Sequence, residues 1–136
     1  MMELIDQVKR DEGLRLTPYR DSVGKLTIGY GTNLDDGISK EEAEYLLANR
    51  LHAKQIELAQ RIPWVTTLAP ARRAVLENMA YNMGVAGLMG FKQMLAAVQK
   101  GDFMEASRQM LSSLWAKQVG IRATRLAQQM INGEFC

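Results

Sequence analysis

Two carboxylates and a hydroxyl group near the start of the chain are the strongest candidates for chemistry. Glu12 ends a predicted helix, Asp21 lies at the turn of a predicted hairpin, and Thr27 lies on the returning strand. A helix end and a hairpin turn can face one another across a cleft. Glycoside hydrolysis needs such a pair, one carboxyl that donates a proton and one that stays ionised to orient water. Apolar neighbours at the helix end and solvent at the turn would keep the two groups in these different states.

The residues alone leave a second interpretation open for the same segment. Glu12 and Asp21 are also explained as surface charges, with Asp21-Ser22 serving only as turn residues. The composition nevertheless narrows the possible chemistry. A single histidine, His52, excludes a zinc site with several histidines, and a single cysteine, Cys136, excludes an intramolecular disulfide. Carboxylate chemistry without a metal or another cofactor is therefore the default expectation for an enzyme of this composition.

The predicted secondary-structure elements that position these groups are unevenly distributed, with strands near the start of the chain and helices over the rest. Residues 3–12 have helical periodicity, and glycines and turn residues over 15–34 predict a small antiparallel sheet. A capping box, Ser39 with Glu42, begins a long helix that Pro63 ends, and the rest of the chain has helical patterns. A helix of about 23 residues is about 35 Å long and could bridge two lobes. The predicted class is α+β and mostly helical, in a chain of 136 residues that fits one domain.

The charge distribution is uneven although the net charge is only +2. Residues 1–62 carry 11 acidic and 9 basic side chains, whereas residues 63–136 carry 4 acidic and 8 basic ones. Either this asymmetry is ordinary solvated surface, or it attracts an anionic polymer. A nucleic-acid binder using Arg72-Arg73 and Arg122 with Arg125 is disfavoured, because the net charge is too low for a dominant phosphate contribution. The N-terminus lacks an apolar signal region, and no stretch is long and apolar enough for membrane insertion.

The spacing Glu12–x8–Asp21–x5–Thr27, within DEGLRL, YRD and TIGYG, resembles the catalytic signature of the phage-type lysozymes of glycoside hydrolase family 24. The similarity continues through SKEEAEYLL at 39–47, RRAVLENMAYNMG at 72–84, GFKQML at 90–95 and the stretch from Trp115 to Arg125. The resemblance implies a lysozyme-like two-lobed fold within one domain. Its small lobe would span about 13–60, with the sheet at 15–34. Its helical lobe would comprise about 1–12 and 61–136, and a long helix would join the two.

The resemblance also implies an activity and a set of roles. The chain would be an endolysin, hydrolysing the β-1,4 bond between N-acetylmuramic acid and N-acetylglucosamine in bacterial peptidoglycan with inversion. Glu12 would be the general acid, Asp21 and Thr27 would place the water, and Arg122 would pair with the acid. Four further residues would contact the substrate: Leu34, Tyr81, Asn82 and Gln109. The alternative is a peptidoglycan-binding module of the same fold that is weakly active or inactive, and the presence of both carboxylates counts against it.

The sequence differs from the usual family pattern in two places. Thr32 follows GYG where the family usually has histidine, and we expect it to alter stability or pH dependence rather than abolish activity. The segment between Asn33 and Ser39 is short and leaves a minimal sheet. The protein is expected to be a monomer that binds neither nucleic acid nor a cofactor. It would be held in the host cytoplasm until lysis, since no signal peptide is evident.

Overall fold

The computed structural model describes residues 2–136 and confirms the α+β, mostly helical class. About 70% of the chain is helical, and one three-stranded antiparallel sheet lies near its beginning. The chain divides into two compact units, the first ending at Leu46 and the second comprising Leu47–Cys136. The predicted division into lobes at other boundaries stays a prediction.

The first unit begins with a short helix that leads directly into the sheet. Helix α1 spans Leu4–Glu12, and the backbone N–H of Glu3 donates to Asp6 Oδ2 over 3.2 Å at its start. Gly13 ends the helix with φ 72°, a left-handed conformation that favours glycine. After Gly13 and Leu14 the chain enters the first strand at Arg15.

The sheet has the strand order β1-β2-β3, with β1 at Arg15–Arg20, β2 at Leu26–Gly29 and β3 at Thr32–Asn33. Thr27 in the central strand pairs with Tyr19 on one side and with Asn33 on the other. A short 3-10 turn, Leu34–Asp36, follows β3. The sheet is as small as the short segment before Ser39 predicts, since β3 has only two residues.

The long helix α2 spans Lys40–Arg61, and its sequence contains the boundary between the two units. The predicted capping box is confirmed. The N–H of Ser39 donates to Glu42 Oε1 over 2.9 Å, and the N–H of Glu42 donates to Ser39 Oγ over 3.1 Å. These two bonds satisfy backbone donors that an uncapped helix start leaves unpaired.

The second unit is a helical bundle with short connections. Its helices after α2 are α3 at Pro70–Met83, α4 at Val85–Met89, α5 at Lys92–Lys100, α6 at Phe103–Leu111, α7 at Leu114–Val119 and α8 at Ile121–Asn132. Glycines end several of these helices, as the sequence predicts: α5 ends at Gly101 and α8 at Gly133, both in the left-handed conformation.

The hydrophobic core lies within the second unit. Central side chains include Leu58, Leu76, Met79, Met110 and Met130, each with no exposed surface. The flexible thioethers of these methionines suit the irregular space between short helices. Among residues 2–136, no helix is long and apolar enough to cross a membrane.

Candidate functional site

Asp21 is held by the tight turn that joins β1 to β2. Its Oδ1 accepts hydrogen bonds from the backbone N–H groups of Val23 (3.0 Å) and Lys25 (2.8 Å). Its own N–H donates to the carbonyl oxygen of Lys25 over 2.9 Å. An aspartate that bonds to the backbone a few residues ahead stabilises such a turn and loses rotational freedom. Its Oδ2 accepts no hydrogen bond from the residues that the structure describes, so this oxygen is available to water or to a sugar.

Thr27 lies two residues after the same turn and is only 3% exposed. Its hydroxyl donates to the carbonyl oxygen of Lys25 over 2.9 Å. Because the hydroxyl proton is committed to this bond, the lone pairs of Oγ1 are the groups that can receive a further hydrogen bond. Asp21 and Thr27 are therefore both attached to the backbone of Lys25, one through its N–H and the other through its C=O.

Glu12 approaches the other end of β2. A Cβ placed on Gly31, just after β2, would lie 2.8 Å from Glu12 Cδ and 3.3 Å from Cγ, so the carboxyl group lies directly against this glycine. One helical turn earlier, Lys9 Nζ is 5.6 Å from the centre of the Tyr30 ring. The last turn of α1 therefore rests on Tyr30-Gly31. Within the first unit Glu12 is exposed, so no element of this unit buries its carboxyl group, and the apolar surroundings expected for it stay a prediction.

The first unit thus brings three of the predicted residues to one strand. Asp21 precedes β2, Thr27 lies within it, and Glu12 contacts the turn that follows it. We call Glu12, Asp21 and Thr27 the β2 site. Leu34, the predicted substrate contact of this unit, is half-buried and begins the 3-10 turn after β3. Sequence reasoning missed Gly31, although the short spacing of Gly29 and Gly31 signals a backbone that another group can approach closely.

The second unit has an open groove of about 590 Å³ that contains Gln109, one of the predicted substrate contacts. Phe91 and Trp115 contribute aromatic rings that pack edge to face, with 6.2 Å between the ring centres. The other lining residues are mostly polar: Gln93, Gln118, Ser112, Ser113 and Lys92, with the exposed Leu114. We call this surface the amide groove. Sequence reasoning missed Gln93 and Gln118, because they come from α5 and α7 and only the fold places them beside Gln109.

Gln109 is held by charged neighbours on its own helix. Its Nε2 donates to Glu105 Oε1 over 2.9 Å, and Arg108 binds the same carboxylate through Nη2 (2.6 Å) and Nε (2.8 Å). Hydrogen bonds from Arg108 first, and then from Gln109, lower the pKa of Glu105 to about 2. Glu105 therefore stays ionised at neutral pH and holds one N–H of the Gln109 amide, which leaves the second N–H as a donor and the amide oxygen as an acceptor for a ligand.

The remaining predicted residues lie at the end of α3 and at the start of α8. Tyr81 and Asn82 are exposed, and Asn82 Oδ1 accepts a hydrogen bond from Trp115 Nε1 over 2.8 Å. Arg122 donates to Asn78 Oδ1 from Nε (3.0 Å) and from Nη2 (2.7 Å). Its predicted pairing with Glu12 stays a prediction. Among residues 2–136, no group of three or more histidine, cysteine or acidic side chains could hold a metal ion.

Comparison with known proteins shows which family and which individual proteins the chain resembles. The sequence model of the phage lysozyme family matches residues 9–129. The pre-baseplate central spike protein Gp5 of Enterobacteria phage T4 is 30% identical over 163 aligned residues, which cover 98% of this chain. A probable T4-type lysozyme 2 of Dictyostelium discoideum is 26% identical over 90% of each chain. A SAR-endolysin of Bacteriophage PS119 is 33% identical over 73% of this chain and 60% of its own length.

The matched relatives differ in size. This chain spans only 28% of the length of the T4 spike protein, whereas it spans 90% of the Dictyostelium relative. The family match includes all three residues of the β2 site and extends across both units.

Proposed function

The chain belongs to the phage lysozyme family, and we propose that it hydrolyses the β-1,4 bond between N-acetylmuramic acid and N-acetylglucosamine in bacterial peptidoglycan. The family and its lysozyme- and endolysin-named relatives support a glycosidase that breaks down cell walls. The observation that carries the finer proposal is the attachment of Asp21 and Thr27 to the backbone of one residue, Lys25, at the opposite end of β2 from Glu12.

In this reaction Asp21 and Thr27 hold the attacking water. Asp21 Oδ2 and Thr27 Oγ1 are both available as acceptors, so one water can donate a hydrogen bond to each. Its lone pair then attacks the anomeric carbon while Asp21 accepts the departing proton. General base assistance of this kind contributes about 100- to 10,000-fold to a rate.

Glu12 supplies the proton that the leaving group needs. As the bond between the anomeric carbon and the bridging oxygen breaks, the electron pair goes to that oxygen, and the Glu12 carboxyl protonates it. Asp21 also stabilises the positive charge that develops on the sugar ring. Water is consumed, one glycosidic bond is broken, and a new reducing end forms without a metal or redox cofactor.

The length of β2 favours inversion at the anomeric carbon. The four residues of β2 separate the Asp21 turn from the Gly31 turn, and a strand of this length spans about 10 Å. Inverting glycosidases place their carboxyls ~6.5–9.5 Å apart to accommodate a water, whereas retaining enzymes bring them to ~5–5.5 Å. We propose that the Glu12 and Asp21 carboxyls are separated by the wider distance, which leaves room for the attacking water.

The amide groove and its surroundings would bind the sugar chain. Aromatic rings pack against the apolar faces of sugars, while the Gln109 amide oxygen and the Asn82 amide nitrogen can bond to hydroxyl or acetamido groups. Tyr81 of the second unit and, separately, Leu34 of the first unit are proposed as apolar contacts of the sugar chain. Arg122 uses one edge of its guanidinium for Asn78, and the rest of the group is proposed to pair with Glu12.

The proposal is tested on purified peptidoglycan with three proteins: the unsubstituted chain, Glu12→Gln, and Glu41→Gln as a matched loss of one carboxylate from an exposed helix position. New reducing ends are counted, reduced with borohydride and identified by mass spectrometry. We expect reduced muramic acid from the unsubstituted chain and from Glu41→Gln, with Glu12→Gln at least 100-fold slower.

The other outcomes separate the alternatives. Reduced glucosamine would assign the opposite bond, and an anhydro-sugar without a reducing end would replace hydrolysis by a transglycosylase reaction. Equal rates for Glu12→Gln and the unsubstituted chain would refute the role of Glu12. Binding to peptidoglycan without any cleavage by the folded chain would support the inactive binding module.

A further inference from the structure

Gly31 is the only glycine among those described in the first unit where an added side chain would meet the proposed acid. A Cβ at Gly31 would lie 2.8 Å from Glu12 Cδ and closer still to Oε2. The other glycines of this unit, Gly13, Gly24, Gly29 and Gly37, also have positive φ, yet a Cβ on any of them would have no atom within 4 Å. Backbone conformation alone therefore explains why the other four positions are glycine. At position 31 the absence of a side chain is also needed to make room for Glu12.

We propose that Gly31 is a positioning residue, whose missing side chain creates the place that the Glu12 carboxyl occupies. This inference rests on the proposed role of Glu12 as the general acid. The Lys9–Tyr30 contact supports it independently, because it brings the last turn of α1 onto the same two-residue turn. The backbone of Gly31 thus positions the Glu12 carboxyl, and a backbone moves less than a side chain would.

The consequence of a side chain at position 31 follows from the distances. Ordinary contact between a Cβ and the carboxyl carbon needs at least 3.4 Å, so the carboxyl must move by about 0.6 Å or more. Glu12 is exposed, so its carboxyl can swing into solvent without disturbing the core. A catalytic group displaced by about 1 Å loses roughly 100-fold in rate. Gly31→Ala is therefore expected to keep its fold and to lose catalysis.

Gly29→Ala is the matched control. Gly29 lies two residues earlier with φ 70°, against 77° for Gly31, so an alanine meets an unfavourable positive φ at both positions. Only the alanine at 31 meets Glu12. A difference between the two variants therefore reports the contact with Glu12 and not the strain of a left-handed alanine.

The experiment compares the release of reducing ends by both variants at several peptidoglycan concentrations, with thermal unfolding measured alongside. We expect Gly31→Ala to have a maximal rate about 10- to 100-fold below that of Gly29→Ala, with a similar half-saturating concentration and a similar unfolding temperature. Equal maximal rates in the two folded variants, while Glu12→Gln is inactive, would overturn the inference. Full activity of Glu12→Gln would instead refute the proposed function on which it rests.

A second measurement needs no activity and no substitution at position 31. The backbone amide resonances of Gly29 and Gly31 are recorded by NMR at one pH in the unsubstituted chain and in Glu12→Gln. We expect the Gly31 resonance to change more than the Gly29 resonance, because the Glu12 carboxyl lies against Gly31 and not against Gly29. Equal changes of the two resonances would overturn the contact and the inference with it.

Discussion

Thr27 allows the proposed handling of water to be separated from simple stabilisation of the sheet. Thr27→Val keeps the branched shape of the side chain and removes the hydroxyl, whereas Thr27→Ser keeps the hydroxyl and removes a methyl group. The residue is 3% exposed, so both changes occur in a closely packed environment. If Oγ1 holds the attacking water, Thr27→Val should lose more activity but less stability than Thr27→Ser.

The expected free energies of unfolding follow from the contacts of Thr27. Thr27→Val loses the hydrogen bond to the Lys25 carbonyl, and such a bond contributes about 0.5–1.5 kcal/mol. Lys25 is exposed, so water can rehydrate that carbonyl and the loss should lie near 0.5 kcal/mol. Thr27→Ser removes a buried methyl group, and we expect a loss of about 1 kcal/mol. For a domain of this size, 1 kcal/mol lowers the melting temperature by about 3–5 °C.

The activities are expected in the reverse order. Thr27→Val should release reducing ends about 100-fold more slowly, because the water loses one of its two acceptors. Thr27→Ser should stay within about 5-fold of the unsubstituted chain, since its hydroxyl can still donate to Lys25 and accept from water. Urea denaturation and the peptidoglycan assay measure the two quantities on the same samples. A folded Thr27→Val with the full rate would refute the assignment of Thr27 to the water.

Two further predictions concern the second unit. Arg72→Met should lower the free energy of unfolding by about 2–4 kcal/mol in urea denaturation. Arg72 donates a hydrogen bond to the Met130 carbonyl over 2.8 Å, and its guanidinium carbon lies 3.7 Å from the centre of the Phe103 ring. A loss below 0.5 kcal/mol would contradict this prediction. Glu105→Gln should lower stability at neutral pH. Hydrogen bonds from Arg108 and then Gln109 lower the folded-state pKa of Glu105 from 4.5 to about 2, so the contribution of Glu105 to stability is complete above pH 4.5 and is lost as the pH falls towards 2. The difference in unfolding free energy between the two proteins should therefore shrink over that interval, and a difference independent of pH would contradict it.

The helix boundaries could be predicted from the sequence because their causes are local. Ser39 and Glu42 satisfy each other's backbone N–H groups within one turn. Gly101 and Gly133 end helices α5 and α8 because each adopts a left-handed conformation that other residues avoid. Each of these signals depends on residues at most four positions apart, so the spacing of residue types is sufficient to find them.

The surroundings of the candidate site could not be predicted in the same way. The Glu12–Gly31 contact joins residues from a helix and from a turn beyond two strands, and the Trp115–Asn82 hydrogen bond spans 33 positions. Such contacts depend on how elements pack, which no local pattern specifies. The attachment of Asp21 and Thr27 to Lys25 could be predicted only in part. The residue types of a turn predict the hydrogen bonds of Asp21, but no local pattern predicts the burial of Thr27.

The stereochemistry of the first product tests the central claim most directly, because it reports whether a water attacks from the Asp21 and Thr27 side. Proton NMR of a soluble peptidoglycan fragment, recorded within minutes of adding the protein, distinguishes the two anomers before they interconvert. The account predicts that the α anomer of the new reducing sugar appears first, from inversion at a β-linked carbon. Initial formation of the β anomer would mean retention and would contradict the assignment of Asp21 to a water rather than to direct attack on the sugar.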